Sequence, residues 1–320
     1  GVRVANLEKK ADNVKITGNI RYNYADYDED GYATGLRSRI WVKGQINDDW
    51  SYTGMLQNVQ NLKDNAGNED TKFQRAYVDG KIGGLAVEAG RLHLNLVDGN
   101  LYDTRADGIV ASYGKDVKVT GFYAKPTNQG KVLADTPKID KLEVEYDNVY
   151  GAKVDAKFGV VAATAGYTVF QDGTLTTEGK FMGVDQKDVK ELDDNKIWNA
   201  GVAFDLAKDL NLSANYMKSS EKYVTDDDDA IVVGLSYAGA KAAKAGSFGI
   251  YANYYDQARS TVVAHTMNGA YGNHGFKGYM VGANYTFAKN IVGAVEYYDL
   301  EDKWNSNDLK TLWSQLVFTF

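Results

Sequence analysis

Three histidines, His93, His265 and His274, are the only imidazoles in the chain, and cysteine is absent. The histidines fall near or within expected loops. Their spacing fits neither a metal-ligand set nor a base paired with serine and carboxylate. No G-x-S-x-G element occurs, and without cysteine there is no disulfide framework or thiolate site. No enzymatic chemistry is expected. The chain offers charge at strand-like spacing instead. Arg21 alternates with Ile20 and Tyr22; Arg37, Arg39, Trp41 and Lys43 alternate with Leu36, Ser38, Ile40 and Val42; Arg75, Tyr77 and Asp79 alternate with Ala76 and Val78. In extended backbone each set occupies one face. Arg21, Arg37, Arg39 and Arg75 thus form a basic ladder, and the carboxylates Asp98, Asp103 and Asp107 lie in or after a connection between two strands. Guanidinium and carboxylate walls facing each other would create a transverse field that orients dipolar molecules.

The elements that must hold these groups are strands. Among 320 residues no apolar run reaches 18, and mean hydropathy is −0.43, which excludes a helical membrane span. With 23 Tyr, 33 Gly and only 2 Pro, the composition favours strands whose faces differ in polarity. A formal charge of −7 argues against a nucleic-acid partner. Period two is plain in Leu210, Leu212, Ala214 and Tyr216 against Asn211, Ser213 and Asn215, and in Phe248, Ile250, Ala252 and Tyr254 against Gly249, Tyr251, Asn253 and Tyr255. Sixteen strands are expected, at about 14–27, 35–46, 50–61, 71–82, 85–93, 107–114, 117–125, 139–154, 159–170, 196–206, 209–220, 230–239, 246–256, 275–287, 290–300 and 310–320.

Most of these have the roughly 9 to 11 residues that a tilted strand needs to cross a bilayer, whereas soluble strands average about 5 to 6. Tight turns and long loops take turns along the chain, as in an even-stranded barrel with both ends on one side. Trp50, Phe204, Phe248, Phe287 and Phe320 sit near the tight turns or the terminus, where an interfacial girdle belongs. The fold expected is all-β, a 16-stranded antiparallel transmembrane β-barrel over residues 14–320, preceded by a short N-terminal helical stub over residues 1–13. A barrel this wide keeps an aqueous interior. The one internal obstruction expected is the connection Leu94–Ala106. No signal peptide opens the chain, so Gly1 reads as a boundary made by maturation or by cloning.

From residue 14 onward the chain resembles trimeric general porins of sixteen strands. The most specific local element is Gly90-Arg91, followed by the acidic segment Val97–Asp107 and another strand. The resemblance implies that this third long loop folds into the bore, that Arg91 points inward, and that Arg21, Arg37, Arg39, Arg75, Arg91, Asp98, Asp103 and Asp107 line a constriction. Alternation with Leu85, Val87 and Ala89 would turn Arg91 outward, so a bulge at Gly90 is expected. The stub, Val2–Asp12 followed by Val-Lys-Ile-Thr-Gly, is similar to the stalk-to-barrel junction of the OmpM family from diderm Firmicutes, porins that also tether the outer membrane. Val4, Leu7, Ala11 and Val14 carry the spacing of a short coiled-coil seam, or equally of a frayed amphipathic helix. Peptidoglycan would be bound only through a domain absent from this chain.

The resemblance implies an outer-membrane location with both termini periplasmic, lipid and lipopolysaccharide around the barrel, a homotrimer, and passive diffusion of small hydrophilic solutes and ions. Gln57-Asn58 and Val110-Ala111-Ser112 suit a subunit contact. Acidic mouths would give a weak cation preference. Asp226, Asp227, Asp228 and Asp229 could hold Ca²⁺, although solvated loop acids explain them as well. A substrate-specific channel, for which Tyr251 and Tyr255 could begin an aromatic slide, and a barrel that serves mainly as an anchor remain alternative readings.

Overall fold

The computed structural model describes residues 2–4, 13–64, 70–129, 141–181, 184–272 and 274–320. Among the described residues nineteen strands follow one another, and sixteen of them close into one antiparallel barrel: β1 (Val14–Asp26), β2 (Tyr32–Gln45), β3 (Ser51–Asn61), β4 (Thr71–Ile82), β5 (Leu85–Leu96), β6 (Tyr102–Gly114), β7 (Val117–Pro126), β9 (Asn148–Phe158), β10 (Val161–Gln171), β13 (Asn195–Ala207), β14 (Leu210–Ser219), β15 (Asp229–Ala238), β16 (Phe248–Gln257), β17 (Phe276–Ala288), β18 (Ile291–Asp302) and β19 (Asp308–Thr319). The other three, β8 (Lys141–Glu145), β11 (Gly173–Phe181) and β12 (Val184–Leu192), form a separate sheet in the order β12-β11-β8.

Closure is made by β1 against β19, from Asn19 opposite Thr319 to Asp26 opposite Leu312. Beyond the last ladder pair, Gly18 and Phe320 exchange backbone hydrogen bonds of 2.8 and 2.9 Å. A Cβ on residue 18 would come within 2.6 Å of the Phe320 ring and 2.8 Å of the Arg39 carbonyl, so the seam favours glycine there. A closed sheet has no unpaired edge, which is the condition for strands in a medium that cannot hydrogen-bond. The outward face carries exposed Ile20, Val202, Phe204, Leu235, Ile250 and Val281, and among the described residues no second sheet covers them. At about 25 cal/mol per Å² such a band is stable only against an apolar surrounding.

Three expectations about elements need correction. The eighth wall strand is Asn148–Phe158, not 139–154, and its turn falls at Gly159-Val160; within the earlier range Lys141–Glu145 belongs to the separate sheet. The stretch 171–195, expected as loop, holds the hairpin β11–β12. Leu94–Ala106 is also largely strand: β5 and β6 stay paired out to Leu96 opposite Tyr102, leaving Val97–Leu101 as the tip. Of the stub, Val2–Val4 are helical, and Leu7 and Ala11 lie outside the described residues. The buried apolar residues form two clusters, one around Leu92, Leu94, Tyr102 and Phe170, the other around Tyr255, Phe276, Tyr298 and Trp313.

Candidate functional site

Register assembles the basic ladder. Arg21 on β1 faces Arg37 on β2, Arg39 faces Gln57 on β3, and Met55 faces Arg75 on β4. Between β3 and β4 the register shifts at Met55/Leu56, whose partners are Arg75 and Phe73, so Gln74 is extra. This bulge separates two side chains that strict alternation would put on one face: Phe73 is exposed outside and Arg75 is buried inside. Arg39 Nε donates to Gln57 Oε1 at 2.8 Å, and Arg75 Nη1 to the Gln74 carbonyl at 2.7 Å. The Arg21 guanidinium stands 5.2 Å from the Trp313 ring centroid. Among the described residues none of the four arginines forms an ion pair, and the Nε atoms of Arg21 and Arg37 are buried without a hydrogen-bond partner.

The β5–β6 hairpin leaves the wall at facing glycines. Pairing of β5 with β4 ends at Arg91 opposite Ala76, while pairing with β6 continues. Gly90 has φ +126°, and a Cβ there would sit 2.5 Å from the Ala76 carbonyl; a Cβ on Gly108, its partner, would sit 2.1 Å from the Tyr123 carbonyl. No register shift occurs at Gly90, so the expected bulge is replaced by a bend that favours glycine. One face of the hairpin buries Leu92, Leu94, Leu96 and Tyr102 against residues of β7, β9, β10 and β13, including Phe122, Val149, Phe170 and Ile197. The other presents Asp103, whose carboxylate takes His93 Nε2 at 2.5 Å and Asn95 Nδ2 at 3.1 Å and lies in electrostatic range of Arg39 and Arg75. At the tip, Asn215 of β14 donates to Asp98 at 2.8 Å.

Arg91 and Asp107 are not part of this group. They face each other in register and share a bidentate pair at 2.8 and 2.9 Å, on the same side of the sheet as Ala76. Arg91 thus stands on the Ala76 side of the sheet, not on the inner face that the resemblance implies. Arg105, which was not singled out, ties the root of the hairpin to Gln74 Oε1 and the Thr127 carbonyl.

A second segment also turns inward, so Leu94–Ala106 is not the sole obstruction. Between β16 and β17, residues Ala258–Ala264 are buried, and the segment docks on the hairpin tip. Asp103 N–H donates to the Ala264 carbonyl at 2.8 Å, Val263 and Ala264 N–H to Leu101, and Thr266 N–H to Gly99. Gln257 Nε2 donates to the Asn100 carbonyl at 3.2 Å, and Asn195 Nδ2 to that of Ser260 at 2.8 Å. His265 is packed among Tyr255, Tyr271 and Phe276. Burial pushes its imidazole down to about 3. Its Nδ1 accepts the Met267 N–H at 3.0 Å, which leaves the proton on Nε2 for Gln257 Oε1.

Glu296 on β18 is the carboxylate that sequence reasoning missed. It faces inward, accepts from Tyr251 at 3.0 Å, Asn268 at 2.9 Å and Tyr298 at 2.6 Å, and lies in electrostatic range of Arg21. Its inward neighbours Ala294, Tyr298 and Leu300 made that face look apolar; a lone acid between Val295 and Tyr297 was the available signal. Tyr251 and Tyr255 both face in, yet Tyr255 is buried in the second apolar cluster. On the tight-turn side of the hairpin, cavities of about 330 and 530 Å³ share Asn95, Lys118, Phe122 and Lys153. The aspartates at 226–229 are divided: Asp227 pairs with Lys303, Asp228 with Lys218, and Asp229 accepts from Tyr216. Among the described residues no cluster of His, Asp and Glu has the arrangement of a metal site.

The sixteen-stranded antiparallel barrel is a fold shared with solved porins. No protein-family model and no curated protein matches the chain. Solved structures do. A mutant of the Rh. blastica porin is 14% identical, with 96% of this chain and 100% of that one covered at a TM-score of 0.60. A loop-deletion mutant of OmpT, an outer membrane protein of Vibrio cholerae, is 16% identical, with coverage of 96% and 99% at 0.60. Likeness at this identity concerns the fold.

Proposed function

We propose that the chain is an outer-membrane porin, a water-filled channel through which small hydrophilic solutes and ions diffuse. The observation that carries this is the polar interior of a closed barrel whose outside is apolar. The in-turned hairpin is the constriction, with Asp103 opposite Arg39 and Arg75 across the remaining opening. Arg91 and Asp107 pin the hairpin at its root, and Asp98 pins its tip. Tight turns face the periplasm, together with both termini, and lipid and lipopolysaccharide surround the long-loop end.

Assembly as a homotrimer follows from the porin likeness and from the outward residues of β4–β6. Ala76, Ala89 and Ala111 are small on the outward face of β4–β6, while the rings of Tyr52 and Trp50 lie over Gly54 and Gly80. Small side chains let a second copy approach closely. In a longer parent of the OmpM type, the stub would continue into a stalk that tethers the membrane to peptidoglycan. Swelling of proteoliposomes in a graded series of sugars tests the channel reading. Uptake that falls with solute size and does not saturate is expected, and liposomes that stay osmotically tight would refute it.

A further inference from the structure

We infer that the opening beside the hairpin is an oxyanion-selective site, formed by Arg21, Arg37, Arg39 and Arg75, for small solutes bearing carboxylate or phosphate. This rests on the channel reading above and departs from the weak cation preference that the acidic loops alone would give. Four guanidiniums on three strands turn to one place, and each is within electrostatic range of at least one of the others. Arginines brought together repel one another, so something must offset the repulsion.

The acids nearby do so incompletely. Asp103 and Glu296 each hold at least two hydrogen-bond donors from neighbouring side chains, and neither forms an ion pair with the four arginines. Two carboxylates against four guanidiniums leave the opening net positive. Arg21, Arg37 and Arg39 are only partly buried, and among the described residues no carboxylate forms an ion pair with them. A planar guanidinium with free N–H groups is matched by carboxylate and phosphate oxygens in bidentate geometry. Rings of arginine are a known means of selecting anions in pores. The chain's excess of acids lies elsewhere, as in Asp226–Asp229 beyond the end of β14, where lysines partly neutralise it.

The test is the reversal potential of the full chain in planar bilayers under a KCl gradient, followed by titration with inorganic phosphate or with succinate. Chloride is expected to permeate better than potassium, and either oxyanion is expected to reduce the chloride current saturably. Replacing both Arg37→Gln and Arg39→Gln should lower the chloride-to-potassium ratio at least about threefold, since a unit charge a few ångströms from the path acts through little screening. The charge-conserving Arg37→Lys should keep the ratio yet weaken oxyanion block by about tenfold, because the fork is lost and the charge is not. Retention of heat-resistant mobility on gels shows that each variant is folded. A conducting wild type that prefers potassium, or one that neither phosphate nor succinate blocks, overturns the inference and leaves the channel standing. Absence of any conductance fails the channel reading itself.

Discussion

Glu296 holds Tyr251, Asn268 and Tyr298 with one carboxylate, and thereby joins the second in-turned segment to the barrel wall. Changing Glu296→Gln puts an amide N–H where a donor already points. The expected loss is about 1–3 kcal/mol in denaturant unfolding from detergent. His265 gives a pH dependence of fixed sign. Its imidazole sits near 3 when docked, below the ordinary value of about 6.5 when exposed. The docked segment is therefore fully favoured above about pH 6.5 and loses stability as pH falls from there toward 3, because the released state takes up the proton. Hydrogen exchange at residues 258–272 should quicken over that window in the wild type and lose the pH dependence in His265→Gln. Unchanged protection down to pH 4 would contradict the burial. Nothing in the spacing of the histidines revealed this role, since it depends on Tyr255, Tyr271 and Phe276 meeting from distant parts of the chain.

At the scale of elements, the hairpin is bent by Gly90 and Gly108 and held at its tip by Asp98 and Asn215. Substituting Gly90→Val forces a Cβ against the Ala76 carbonyl at a φ that branched residues avoid. That variant should fold poorly or release the hairpin, seen as new protease cleavage near 97–101. The milder Asn215→Ala should keep the barrel and raise single-channel conductance and open-state noise. On the outer face, Val202→Arg should cost roughly 2–4 kcal/mol on refolding into lipid vesicles if it lies near the midplane. Strands were legible because alternation and turn rhythm are local properties of the sequence. The ends of β5 and β6 were not, because a hairpin that packs leucines inward against the wall and turns polar groups to the bore has the alternation of wall strand and the acids of a loop. Counting strict alternation through Gln74 would have put Phe73 and Arg75 on one face, because the bulge there is invisible in the spacing.

For the whole molecule, a closed sheet with an apolar outside and a polar inside joins the strand pattern to the channel. Spacing alone suggested the basic ladder; Glu296 and the second in-turned segment required closure, which brings β18 and β16–β17 round beside β1. A homotrimer predicts three times the chain mass in native mass spectrometry from detergent, and conductance closing in three equal steps. Monomers alone would remove the role assigned to Ala76, Ala89 and Ala111 on the outward face of β4–β6. The most direct measurement of the central claim is current across a planar bilayer containing the purified chain. The account predicts stable ohmic steps that scale with salt concentration. A bilayer that takes up the folded barrel and passes no current would contradict it.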